Sequence, residues 1–259
     1  MRRTDGFTLV ELVMVIVLLG IVATISVQFV ALSTRGAIDT GDRQQRSLKA
    51  VVVGEQITRM LREAFPLSVR VTGPTSNCLE WLPIAGATTY TSLPSAGDTT
   101  IEAIPFSRVP GGAGLRAVVY GYGGAANRFY NAPVVNPGPI SPTIANLDNT
   151  TVPALVTLSS AHRFDSTSPT RRLFVVSRPK ALCSETGVLV LYQNYDVGDP
   201  YTDGRRDILA ANLVGNAQFT FVPATLRRAA VVHFSFELGT PGSTETLDVS
   251  QEVQIRNVP

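Results

Sequence analysis

Lysine is almost absent from this chain: of 22 basic residues only Lys49 and Lys180 are lysine. We assign that bias no role. Cysteine is as scarce, with only Cys78 and Cys183 and no Cys-x-x-Cys pair or Cys/His cluster, which leaves zinc-finger and thioredoxin-like chemistry without ligands. His162 and His233 are the only histidines, and no serine and acid stand out as partners for a catalytic triad. Net charge is only +2, too little for a nucleic-acid surface or a basic membrane-surface protein. The arginine pairs at 171/172, 205/206 and 227/228 read as solvated turns near strand ends. Nothing repeats at a fixed period, which excludes a solenoid. Ser177-Arg178-Pro179-Lys180 has the S-x-x-K spacing of penicillin-interacting enzymes. Its companion elements are missing, and Pro179 spoils the helix start that the motif needs. These absences predict a protein that is not an enzyme and calls for no cofactor.

What is present is concentrated at the N-terminus. Residues 1–6 are short, polar and basic, and residues 7–32 are almost wholly apolar with one charge, Glu11. The apolar run of about 26 residues is roughly 39 Å long as a helix, enough to cross a bilayer with some tilt. It has no polar face to turn toward water, so it is not a core helix of a soluble domain. A cleaved secretory signal would have a shorter apolar core and a small-x-small site after it; Thr24-Ile25-Ser26 is a poor substitute. No cysteine lies near for a lipoprotein anchor. An ordinary membrane anchor leaves Glu11 unexplained. A carboxylate in an apolar span costs about 2.5–3.5 kcal/mol on insertion scales and implies a partner, unless it snorkels to the headgroups.

Gly6-Phe7-Thr8-Leu9-Val10-Glu11, followed by the apolar run, resembles the class III signal of type IV prepilins and type II secretion pseudopilins. The resemblance covers Arg2 to about Ile25. It implies that a membrane peptidase cuts between Gly6 and Phe7, that the new terminal Phe7 is methylated, and that Glu11 is an assembly determinant. The partner of Glu11 would then be the α-amine of Phe7 on a neighbouring subunit, a pair that fixes axial register. Orientation is not settled by counting charges, because Arg35, Arg43 and Arg46 follow the span while Arg2 and Arg3 precede it. The leader type places the body outside the cytoplasm. There Cys78 and Cys183 can form one disulfide, which would stabilise by roughly 4–5 kcal/mol on the chain-entropy model; otherwise they are two buried thiols.

Beyond the span, Ala50, Val53, Ile57, Leu61 and Ala64 follow one face of a 3.6-residue period. Gly36, Gly41 and Gly54 weaken that helix, so the stretch 32–41 is expected to bend or melt. Phe65-Pro66 ends it. Strand patterns then cover 68–72, 78–84, 99–106, 115–122, 152–158, 172–176, 187–192, 207–213, 218–222, 230–238 and 246–255. The stretch 121–142 reads as an irregular surface excursion with four prolines. Asp196, Asp199, Asp203 and Asp207 share one loop and offer oxygen ligands to calcium. Their spacing is not that of an EF-hand, and Arg205 and Arg206 sit among them, so a solvated acidic loop is the expectation and no metal is assigned.

The helix exit around Ile57–Pro66, the run Cys78-Leu79-Glu80-Trp81-Leu82-Pro83-Ile84 and Arg172-Leu173-Phe174-Val175-Val176 leading to Cys183 are similar to the MshO minor pilins of the mannose-sensitive haemagglutinin (MSHA) pilus. That similarity implies a head like the two-sheet domain of PilW- and J-type pseudopilins. The expected fold class is α+β: a long helix, half transmembrane and half amphipathic, packed on an antiparallel two-sheet β domain. The expected division is a leader at 1–6, a membrane and filament-core helix at 7–32, its amphipathic continuation at 33–65 and a head at 66–259. The expected role is a structural minor pilin in pilus biogenesis. Its expected partners are other pilins, prepilin peptidase/methyltransferase, the inner-membrane assembly platform and, before assembly, the membrane; no nucleic acid is expected. It would sit in the inner membrane with its head periplasmic, then in the pilus. A J-like pseudopilin of a type II secretion system is the alternative within the class. A membrane-tethered β domain with ligand-binding or enzymatic activity is the alternative outside it.

Overall fold

A computed structural model describes residues 8–73, 75–120, 126–131, 134–224, 228–241 and 244–255. By internal contacts the chain divides into two units, Met1–Leu48 and Lys49–Pro259.

Helix α1 runs unbroken over Leu9–Arg62. The alternative of a melted stretch at 32–41 is therefore corrected. Gly36 and Gly41 each cost about 1 kcal/mol, but no proline intervenes, and extending an existing helix is far easier than nucleating one. In the first unit residues 8–41 are all exposed.

In the second unit α1 presents the predicted stripe. Ala50, Val53, Ile57 and Leu61 are buried while Gln56 and Arg59 face solvent. Ile57 and Leu61, both fully buried, each contribute about 1.5–3 kcal/mol by leaving water. Phe65 has an extended backbone (φ −70°, ψ 118°) ahead of the 3-10 turn Pro66–Ser68, as the residue before proline requires.

Among the described residues the strands form three sheets. The first is antiparallel, in the order β1 (Arg70–Thr72), β2 (Cys78–Trp81), β9 (Lys180–Glu185), β10 (Val188–Gln193) and β11 (Arg205–Ala211). The period of two divides its faces. Leu79, Trp81, Leu182, Leu189 and Leu191 point into the core shared with α1, while Cys78, Ala181, Cys183, Val190 and Tyr192 cluster on the opposite side. The second sheet is β12 (Gln218–Val222), β13 (Ala230–Gly239) and β14 (Thr246–Ile255). Val232, Phe234, Phe236 and Leu238 of β13 face α1, as their alternation with His233, Ser235 and Glu237 predicts.

Between β2 and β9 the chain builds a six-stranded closed barrel in the order β3 (Ile84–Ser92), β4 (Thr100–Ala103), β7 (Ala154–Leu158), β6 (Ile140–Asp148), β5 (Arg116–Val118) and β8 (Arg172–Val176). This corrects the expected two-sheet head. Three strands escaped the sequence reading: β3, rich in Ala, Gly and Thr with little alternation; β6, which carries Pro142; and β9 (Lys-Ala-Leu-Cys-Ser-Glu), whose four central residues are buried on both faces. Closure depends on β3, which pairs with β8 through its first half and β4 through its last. Irregularities between Ile84 and Gly86 and between Tyr90 and Ser92 turn it between the two partners. Inside, Tyr90, Ile101, Ala117, Leu158, Leu173 and Val175 belong to one packed core. The 121–142 stretch is less irregular than expected where it is described, with a 3-10 turn at Ala126–Phe129 and the start of β6.

The barrel's way in and way out meet the helix exit at 82–84. The Phe65 amide donates to the Leu82 carbonyl (2.8 Å), Ile84 to Glu63 (2.8 Å), and Ser177 to Pro83 (2.9 Å). Phe65 packs edge-on against Phe129 and Tyr120 and lies tilted on Phe174 of the barrel wall.

Candidate functional site

The segment that carries the sequence-predicted site begins at a capped helix end. The Glu11 amide donates to Thr8 Oγ1 (3.3 Å) and the Leu12 amide to the Thr8 carbonyl (3.2 Å). Thr8 is thus the N-cap and Glu11 the third helical residue, with a negative charge at the positive end of the helix dipole. The signal for this lies in the sequence itself: Thr-x-x-Glu ahead of an apolar run is the pattern of a capping box. Glu11 is exposed, and the apolar stretch that follows is not buried anywhere in the chain. Leu9, Phe29 and Leu32, for example, are 78%, 70% and 68% exposed. α1 is long and apolar enough to cross a membrane. Gly6 and Phe7 lie outside the described residues.

Residues 1–27 match the family model of the prokaryotic N-terminal methylation motif. That motif marks a type IV pilin-like or pseudopilin-like substrate of prepilin peptidase, anchored through an N-terminal apolar helix and assembling with other pilins. The matched span contains Gly6, Phe7, Thr8 and Glu11 and stops inside the apolar run. No curated protein and no solved structure matches the chain.

In the second unit Cys78 and Cys183 are disulfide-bonded register partners on β2 and β9, with Cα atoms 4.1 Å apart. On the same face of β2, the buried Glu80 anchors a polar network. Arg70 donates to Glu80 Oε2 through Nε (2.7 Å), and the Tyr195 hydroxyl donates to Oε1 (2.9 Å). The Arg70 guanidinium lies 3.9 Å from the centre of the Tyr130 ring, and Tyr130 donates to the Ser68 carbonyl (2.8 Å). Burial, then the Glu80 charge, pushes both tyrosine hydroxyls far above their ordinary value, so they stay protonated donors. Sequence reasoning missed this network. Only the pairing of Arg70 with Glu80 across β1 and β2 brings the charges together, and it follows from a hairpin register rather than from sequence spacing.

The four aspartates are not gathered into a site. Asp196 accepts from Arg116 Nη2 (3.0 Å) and lies 3.9 Å from Arg178. Burial raises its carboxyl, but Arg116 and the Val197 amide together bring it below the usual range. Asp207 is held by Arg205 (2.8 Å) and Gln193 (2.6 Å). Asp199 accepts from the Asp196 amide (3.3 Å), and Asp203 ends a 3-10 turn. Among the described residues no group of three or more His, Cys, Asp or Glu side chains is placed to hold a metal. His162 is buried beside Phe164. His233 does meet a serine, Ser250 Oγ at 3.0 Å, on the exposed face of the β12–β14 sheet. Glu252, its register partner, makes no hydrogen bond to it, and among the described residues no acid completes a triad with this pair.

Proposed function

We propose that this chain is a minor pilin of a type IV pilus of the MSHA biogenesis type, with a structural rather than catalytic role in building the fibre. One observation carries the reading: a methylation-motif match over residues 1–27 that runs into an exposed apolar helix with its one carboxylate in the first turn. Prepilin peptidase would cut between Gly6 and Phe7 and methylate the new terminus. The protein would wait in the inner membrane with its head in the periplasm, and the apolar surface of α1 would then exchange lipid for other pilin helices. Glu11 would pair with a neighbour's Phe7 amine to fix axial register, because leaving either charge alone in an apolar core is costly. The MSHA assignment rests on the local sequence similarities at the helix exit, around Trp81 and before Cys183. A J-like pseudopilin of a type II secretion system is the second reading, favoured by a motif that both classes carry.

Mass analysis of the mature N-terminus tests the proposal. A chain beginning at methylated Phe7 is expected. An intact Met1-Arg2 end, or a cut after residue 25, would overturn it and leave a membrane-tethered β domain.

A further inference from the structure

The Ser177–Lys180 run left over from the sequence reading lines a cleft of about 200 Å³ in the head, together with Gly112, Ala113, Gln193 and Asn194. It lies where the barrel's exit loop, the turn ahead of β5 and the end of β10 converge. The polar side chains here are short of partners. Among the described residues Arg178 makes no hydrogen bond; its Nε is buried without an acceptor there, and the carboxylate it pairs with, Asp196, is 3.9 Å away, beyond hydrogen-bond reach. That carboxylate is already engaged by Arg116 at 3.0 Å. Lys180 has no ion pair among the described residues, and the Ser177 hydroxyl and Asn194 amide have no hydrogen bond there either. Gln193, the register partner of Lys180, gives its amide to Asp207, which Arg205 neutralises. The cleft lining thus carries two cations, Arg178 and Lys180, and no carboxylate, while Asp196 and Asp199 beside it are engaged by Arg116 and by the Asp196 amide.

We propose that this cleft binds a small oxyanion, a carboxylate or phosphate group carried on a molecule no larger than the cleft admits. The guanidinium of Arg178 supplies a planar fork of donors suited to either group. Lys180 supplies a point charge, and Ser177 and Asn194 supply neutral donors that orient the ligand. The volume lies below the range of about 300–1,000 Å³ typical of drug-sized ligands, which limits the occupant to something small. The site does not depend on the filament reading and holds equally for a tethered head.

The test is calorimetric titration of the full chain in a neutral detergent at low salt, with inorganic phosphate in one arm and glucuronate in the other. Saturable binding at one site is expected, weakened by at least about tenfold in Arg178→Gln and in Lys180→Gln. Arg163→Gln, an exposed arginine outside the cleft, should bind as the parent does. Binding of only one anion supports the site and assigns its ligand to the phosphate or the carboxylate class. Lys180→Gln decides the matter if Arg178→Gln lowers the thermal midpoint. The proposal is overturned if neither anion saturates below about 50 mM, weaker than any affinity such a charge cluster should give. Affinity unchanged in Lys180→Gln would overturn it as well.

Discussion

The amide of Glu11 donates to the side-chain oxygen of Thr8, so the one carboxylate of the apolar stretch is set in place by the cap that starts its helix. Cap and carboxylate are separable by mutation. Thr8→Ala should loosen the first turn at a cost of about 1 kcal/mol, and Thr8→Ser should restore it. Glu11→Ala should still be processed at Gly6–Phe7 yet enter fibres poorly, whereas Gly6→Ala should block processing. Immunoblots of whole cells and sheared filaments read both steps. Normal piliation by Glu11→Ala would remove the register role.

Glu80 is buried and accepts from Arg70 and Tyr195 at once. Truncation to Ala strands both donors and should cost about 2–4 kcal/mol, while Glu80→Gln, which keeps an acceptor oxygen, should cost less. Denaturant unfolding of the full chain in detergent measures the difference. Equal stability of Glu80→Ala and the parent would show that the network contributes nothing.

The Cys78–Cys183 bond closes a loop with a sequence separation of 105. Replacing both cysteines by serine, or adding reductant, should lower unfolding free energy by up to about 4–5 kcal/mol. Coincident unfolding curves with and without reductant would contradict this.

Burial pulls the His162 imidazole below its ordinary value, against the opposing pull of the Gly138 carbonyl and the Asp165 charge. The unfolded chain therefore binds the proton more readily than the folded one, and stability rises with pH. This contribution should be whole above the unfolded value of about 6.5 and be lost as pH falls through the lower folded value. Asp196, also held low, acts in a separate and more acid window, below about 3.9. Thermal midpoints from pH 8 to 5 should fall for the parent and stay flatter for His162→Asn. Parallel curves would exclude His162 as the source.

The parts of the fold legible in the sequence are those set by local periodicity. The α1 stripe from Ala50 to Leu61, the Phe65-Pro66 stop and the alternation of β13 are each fixed within one or two turns of chain. The barrel was not legible, because β3, β6 and β9 lack clean alternation and closure is a property of long-range pairing. The same holds for the Glu80 network, whose members Arg70, Tyr130 and Tyr195 are brought together only by sheet register and two separate loops. The terminal segment differs because Gly6, Phe7 and Glu11 lie within six positions of one another, so the motif matched over residues 1–27 is a local pattern that needs no long-range pairing to be recognised.

The placement of the disulfide also has a mechanical meaning. A pull applied between α1 and the last strands runs through the bond from Cys78 to Cys183 and bypasses everything between them. The chain held out of the force path would otherwise extend by roughly 3.4 Å per residue, on the order of 350 Å in all. The barrel therefore carries no tension while that bond lasts, and the subunit cannot lengthen by unravelling it.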